Sequence, residues 1–218
     1  SNSSLATPAP VRGAGSVRIV SGKWKRSVVS VACAEGLRPT SERVRETVFD
    51  WLTHLFGTLE GCDALDMFAG SGAMGLEAAS RGADYVDWLD IHRQGIAGIR
   101  QALTRLGADD HKQARVADAF RFLQDAPRSY DVIFIDPPFS LDMQVKAARA
   151  ALGALKEEGL LYVESPTELL SDEALESLGV VRVRSGSAGA VRFELLAKAG
   201  SGMAGLVRLS KEEKRSRK

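Results

Sequence analysis

The chain has 218 residues, 44% apolar and 26% charged, which excludes a disordered, collagen-like or strongly acidic protein. No apolar run approaches the roughly 20 residues of a membrane-spanning helix. Two cysteines make neither a disulfide framework nor a zinc cluster, so a reducing, cytoplasmic setting is expected. His54, His92 and His111 fall in no metal-ligand spacing, so no metal is expected. The net charge of +1 hides an asymmetry. Residues 1–58 carry eight Lys/Arg against four Asp/Glu, residues 59–197 fourteen against twenty-two, and residues 198–218 seven against two. Basic ends around an acidic middle suit a polyanionic partner, although basic tails also aid solubility.

Residues 1–16 are small, polar and Pro-containing, and read as a disordered tail. Residues 17–31 read as a hairpin, with Ser21-Gly22 as turn residues and strand formers from Trp24 to Val31. Lys23, Trp24, Lys25 and Arg26 form a basic cluster around one aromatic ring. Residues 36–40 turn into a helix, with Thr40 as its expected N-cap and Glu42 in the first turn. Val44, Val48, Trp51, Leu52 and Leu55 recur at helical spacing.

From residue 63 strands and helices alternate. Strands are expected at 64–67, 85–90, 114–116, 132–135 and 160–164, and helices at 73–80, 94–106, 120–124, 141–155 and 168–178. Residues 180–184 and 191–197 read as a closing strand pair joined by a glycine-rich turn at 186–189. Val132-Ile133-Phe134-Ile135 is the unbroken apolar run of a strand covered on both faces. The pattern predicts an α/β, doubly wound, mostly parallel sheet. We divide the chain into the tail 1–16, a hairpin-and-helix appendage 17–58, a main domain 59–198 and a basic flexible tail 199–218.

Two segments carry chemistry. Asp66 ends the first parallel strand, and Phe68-Ala69-Gly70-Ser71-Gly72 follows, with Gly75 completing a G-x-G-x-x-G spacing. Such a turn lies at the carboxyl edge of the sheet, where ligands bind, and glycine allows close backbone approach. By itself the pattern is weak, since a tight strand-to-helix turn that binds nothing also produces it. Asp66 would repel a pyrophosphate but attract an ammonium or a sulfonium, both of which S-adenosylmethionine carries. Asp90 ends the next strand, where a carboxylate accepts from ribose hydroxyls. Asp118, followed by Ala119, could accept from an adenine amino group or simply cap a helix.

The second segment is Asp136-Pro137-Pro138-Phe139, directly after the fourth strand. The prolines stiffen the turn and remove two N–H donors, leaving carbonyl acceptors. Asp136 and the Pro137 carbonyl can each accept one hydrogen of an exocyclic base amine, freeing its lone pair to attack a methyl carbon. Phe139 can stack on the base. Position matters more than acid–base strength here, so Asp136 serves chiefly as an orienter and electrostatic stabiliser.

Together the two motifs resemble those of class I S-adenosylmethionine-dependent amino-methyltransferases. Three further stretches are similar to the RsmD family of bacterial 16S rRNA guanine-N2 methyltransferases: 18–24 (Arg-Ile-Val-Ser-Gly-Lys-Trp), 37–47 (Leu-Arg-Pro-Thr-Ser-Glu-Arg-Val-Arg-Glu-Thr), and 75–83 around Gly75-Leu76-Glu77-Ala78. The resemblance covers about residues 17–198. It implies a seven-stranded Rossmann-like sheet and S-adenosylmethionine as cofactor. The substrate it implies is one guanosine of 16S rRNA, reached on an assembled or assembling small subunit. It also implies an RNA-contacting hairpin that carries the basic cluster, with the turn of Arg38, Pro39 and Thr40 lining the cofactor or base pocket, and Arg43 and Arg45 either binding phosphate or pairing with Glu42, Glu46 and Asp50. Where the family has a Glu and, two residues on, an Asp, this chain has Asp90 and His92, so Ile91 or His92 is expected to help hold the adenosine. The competing readings are an NAD-dependent oxidoreductase, a DNA or other RNA amino-methyltransferase, and a noncatalytic RNA-binding module. A C5-cytosine methyltransferase is disfavoured, because neither Cys33 nor Cys62 sits after a strand in a Pro-Cys context.

Overall fold

The computed structural model describes residues 15–31, 41–137 and 141–207. The tail 1–14, Cys33, Arg38, Thr40, Pro138, Phe139 and the last eleven residues lie outside them.

A two-stranded antiparallel hairpin, β1 (Gly15–Arg18) and β2 (Val28–Val31), precedes helix α1 (Glu42–Phe56). Then follow β3 (Ala64–Asp66), α2 (Ala73–Ser80), β4 (Val86–Asp90), α3 (Arg93–Arg105), β5 (Lys112–Val116) and α4 (Ala119–Gln124). The second half is β6 (Tyr130–Ile135), α5 (Leu141–Leu152), β7 (Leu155–Ser165), α6 (Asp172–Leu178), β8 (Val180–Ala188) and β9 (Val191–Lys198). The seven-stranded sheet runs β5-β4-β3-β6-β7-β9-β8. Its pairings from β5 to β7 are parallel, and β9 is antiparallel to both β7 and β8. The doubly wound sheet and the N-terminal hairpin are both as the sequence predicts. Strand order reverses between β3 and β6, and a crevice at such a switch point is where open α/β sheets bind ligands.

Alternation along the strands builds two cores, one on each face. Ala64, Trp88, Phe134, Tyr162 and Phe193 face α1, α2, α3 and the hairpin. Leu65, Leu89, Ile133, Ile135 and Leu161 face α4, α5 and α6. Side chains such as Leu52, Phe134 and Leu161 are 0–1% exposed, and burial of each stabilises the fold by about 1.5–3 kcal/mol. No described helix is long and apolar enough to cross a membrane.

Several local expectations are corrected by tertiary contacts. The hairpin strands are shorter than expected, and residues 19–27 form a wider loop in which Arg26 adopts a left-handed backbone (φ 72°). Ser41, not Thr40, caps α1, its side chain accepting from the Val44 N–H. Helix α5 stops at Leu152, before Gly153, and Leu155 already belongs to β7. Residues 168–170 are not helical. The Leu170 N–H donates to Glu194 and the Leu170 carbonyl accepts from Arg182, so distant partners outcompete local helix bonds. Gly186 lies within β8, which pairs with β9 out to Ala188 opposite Val191, leaving Gly189 (φ 59°) in the turn. Residues after 198 are not a loose linker throughout: a 3-10 turn, Met203–Leu206, follows, its first N–H groups held by the Glu158 carboxylate.

Candidate active site

Because side chains alternate along a strand, residues two apart share a face. Asp66 therefore shares a face with Ala64, Asp90 with Trp88, Asp136 with Phe134, and Glu164 with Tyr162. These four acids lie on one face at or just past the carboxyl ends of four neighbouring strands, β4, β3, β6 and β7. Beside them is the turn from β3 into α2.

That turn is shaped by packing as much as by any ligand. Gly72 caps α2 with a left-handed backbone (φ 80°). A Cβ on Gly75 would stand 2.2 Å from the Trp88 indole nitrogen, and one on Gly72 would stand 2.8 Å from Ile99. The Trp88 N–H donates to the Gly72 carbonyl at 3.1 Å. Gly72 and Gly75 thus let α2 sit on Trp88. Only Gly70 (φ 53°), whose Cβ position meets nothing within 4 Å, leaves the open side that backbone approach to a ligand requires.

Asp66 is 4% exposed and accepts from the Gly75 N–H at 3.1 Å. Burial, partly offset by that bond and reinforced by the Asp90 charge, pushes its carboxyl up to about 7. The unfolded chain loses this proton near the ordinary Asp value while the folded chain keeps it. Between about pH 4 and pH 7 the unfolded state thus binds fewer protons, and this residue's contribution to stability falls as pH rises. The other buried acids are paired with arginines: Glu77 with Arg45 and Arg81, Asp87 with Arg115 and Arg128, and Glu194 with Arg182. Asp66 has no such partner among the described residues. Groups shifted by burial in this way cluster at functional sites.

Asp90 is half-buried and positions the glycine turn, accepting from the Gly70 N–H at 2.8 Å and the His92 N–H at 2.9 Å. Ile91 beyond it is 65% exposed, and Val116 at the end of β5 is 40% exposed. Two bare aliphatic side chains at this rim suit a flat ring lying across them. Asp118 caps α4 through the Arg121 N–H, and Ala119 behind it is buried. Phe68 packs edge-on against Phe120, with ring centroids 6.2 Å apart, while Ala69 is buried and the Ser71 hydroxyl accepts from the Ala73 N–H at 3.3 Å at the start of α2.

Asp136 is exposed and Pro137 after it is buried. The open side of Asp136 is accessible to solvent, but protein crowds its carboxyl from behind. That crowding, then the charges of Glu164 and Asp66, raise it well above the usual carboxylate range. Sequence reasoning missed Glu164 and Tyr162. The Tyr162 hydroxyl donates to Glu164 Oε2 at 2.9 Å, and burial keeps that phenol protonated. The available signal was an acid ending a parallel strand, the same pattern as Asp66 and Asp90.

The basic hairpin is divided. Lys23, Lys25, Arg26 and, on α1, Arg43 are exposed. Trp24 is 8% exposed and belongs to the core, with the Lys23 ammonium 4.9 Å from its ring centroid, so it does not offer a stacking face. Arg45 also turns inward, pairing with Glu77 at 3.1 Å.

A family model described as Conserved hypothetical protein 95 matches residues 17–196. The ribosomal RNA small subunit methyltransferase D of Escherichia coli K12 is 37% identical over 160 residues, spanning 72% of this chain and 78% of the relative. The chain belongs to the RsmD family. A solved Escherichia coli structure described as a methyltransferase, yhhF, superposes with a TM-score of 0.73 at 32% identity, covering 86% of this chain and all of that one. The fold is also shared with the Thermus thermophilus 16S rRNA N2 G1207 methyltransferase RsmC, with a TM-score of 0.66 and 20% identity over 88% of this chain and 51% of that one.

Proposed function

We propose that this protein transfers a methyl group from S-adenosylmethionine to the exocyclic N2 of one guanine in 16S rRNA. What supports this reading is that Asp136 follows β6, the strand paired at the switch point with β3, which leads into the glycine turn.

The donor set fits the cofactor. An acidic crevice suits a molecule with ammonium and sulfonium charges and no phosphate, which disfavours a nicotinamide dinucleotide. Asp66 and the open side of Gly70 would hold its amino-acid end, Asp90 its ribose hydroxyls, and Asp118, Ala119 and Ile91 its adenine. When bound, it supplies an electrophilic methyl group and leaves as a neutral thioether. Asp136 and the Pro137 carbonyl accept the two N2 hydrogens, releasing the lone pair from the ring. Phe139, outside the described residues, completes the base pocket as a stacking ring. Once methylated, N2 sheds one proton to Asp136, whose proton affinity burial and then the neighbouring acids raise. The exposed Lys23, Lys25, Arg26 and Arg43 contact RNA phosphates, with Arg38 and Thr40 nearer the base. The small subunit, assembled or assembling, is the substrate particle.

Cofactor affinity should rise with pH. The cation binds the ionised crevice, and Asp66 ionises near pH 7 in the free protein. Each unit below that value weakens binding by up to about tenfold. Calorimetric titration between pH 5.5 and 8 checks this, and Asp66→Asn should flatten the profile. The function itself is tested by incubating undermethylated small subunits with methyl-labelled S-adenosylmethionine and digesting the RNA. Label is expected in N2-methylguanosine at one site. Label on adenosine, or transfer to DNA in preference, would overturn the substrate.

A further inference from the structure

Neighbouring acids at the ends of β6 and β7 point to a second base-reading group. Ile135 pairs with Val163 in parallel register, so Asp136 and Glu164 are the next residues in step on adjacent strands. Adjacent strands lie about 4.8 Å apart. Both side chains belong to the face that carries Phe134 and Tyr162.

The Glu164 carboxylate is held by contacts that the chemistry on N2 does not itself require. Tyr162 donates its hydroxyl to Oε2 at 2.9 Å. The Tyr162 ring is fully buried between Phe134 and Phe193, with centroids 6.0 and 6.5 Å away. Behind the strand, the buried Gln144 amide donates to the Glu164 carbonyl at 3.1 Å. A carboxylate held beside another is an arrangement that a ligand with two neighbouring donors would relieve; burial first, then the Glu164 charge, raises Asp136.

Guanine is such a ligand. Its N2 amino group and its N1–H donate from one edge. Adenine places an acceptor nitrogen next to its amino group instead, and a carboxylate facing that lone pair is repelled. We propose that Glu164 accepts the guanine N1–H while Asp136 and Pro137 hold N2, so that Glu164 is the residue selecting guanine over adenine. This rests on guanine N2 being the methylated atom. Glu164 takes no part in bond making. It is a specificity residue whose carboxylate Tyr162 aims.

The test uses small subunits reconstituted with 2-aminopurine at the mapped guanosine. That base keeps the 2-amino group and lacks N1–H. Wild-type enzyme is expected to lose about 10- to 100-fold in kcat/KM on it, the range for a hydrogen bond to a charged group. Glu164→Gln should lose a similar factor on guanine and discriminate between the two bases by about threefold or less, because its amide can donate to the bare N1. The missing O6 affects both enzymes alike, so the ratio of ratios isolates N1. S-adenosylhomocysteine binding checks that the variant is folded, and Glu164→Ala should likewise lose discrimination. The proposal is overturned if wild-type enzyme methylates 2-aminopurine as fast as guanine, a result needing no variant. It is also overturned if folded Glu164→Gln discriminates as wild type does. Absence of label from guanine N2 in wild-type reactions would instead overturn the functional reading, and the proposal with it.

Discussion

Asp136→Ala is expected to lower kcat for methyl transfer by on the order of 10³-fold while leaving S-adenosylhomocysteine affinity unchanged or slightly improved. The alanine removes one acceptor for the N2 hydrogens and the local base, so attack loses its aligned lone pair and the product its proton sink. Dense protein around the carboxyl, and then like charges beside it, raise its proton affinity. Its removal relieves that repulsion, so thermal stability should hold or rise as activity falls, the usual trade at a functional site. Asp136→Asn keeps an acceptor oxygen and loses the charge, and should fall between the two. Single-turnover rates on undermethylated subunits, with cofactor binding measured separately, give the comparison. A fully active Asp136→Ala enzyme would remove Asp136 from the chemistry of the transfer.

The second large effect concerns Glu77, which lies outside the crevice. It is 0% exposed and accepts from the N–H groups of Val20 and Ser21 at 3.0 and 3.1 Å. It also pairs with Arg45 at 3.1 Å and Arg81 at 2.9 Å. Arg45 in turn donates to the Arg18 carbonyl. One carboxylate thereby ties α2, α1 and the hairpin together, and Ser80 adds bonds to Ser21 and Trp24. Glu77→Ala leaves the buried Arg45 guanidinium and two backbone donors uncompensated, so a loss of about 3–5 kcal/mol is expected. Urea unfolding measures it. Trypsin should cut at Lys23, Lys25 and Arg26 much faster in the variant, because the loop bearing them loses its clamp. Unchanged protease resistance would mean that the hairpin is held by its apolar contacts, Val17, Ile19, Trp24 and Val29, alone.

Glu77 also shows how a family-like stretch is read correctly for the wrong property. Gly75-Leu76-Glu77-Ala78 helps mark the RsmD resemblance, yet an acid in the middle of a helix gives no local sign of being buried. The Lys23-Trp24-Lys25-Arg26 run is similar. Its charges are exposed as a phosphate-binding loop requires, while its aromatic ring faces the core. The glycine turn is legible as a turn, but the need for Gly72 comes chiefly from Ile99 and that for Gly75 from Trp88, both thirteen residues or more downstream.

The sequence by itself determined the alternation of strands and helices, the apolar β6, and the acids ending strands at Asp66 and Asp90. It also marked the acceptor-rich turn at Asp136-Pro137. These follow from local periodicity, from proline and glycine chemistry and from charge, all of which act within a few residues of one another. Tertiary structure alone decided which distant groups share a carboxylate. Glu77 meets the hairpin across 56 and 57 residues, Glu194 stops a helix from starting before Ser171, and Glu158 caps a turn 44 residues away. The register of β6 on β7 likewise sets Glu164 beside Asp136. A buried polar group must find a partner wherever the fold supplies one, and that choice is made by packing, which local sequence does not encode.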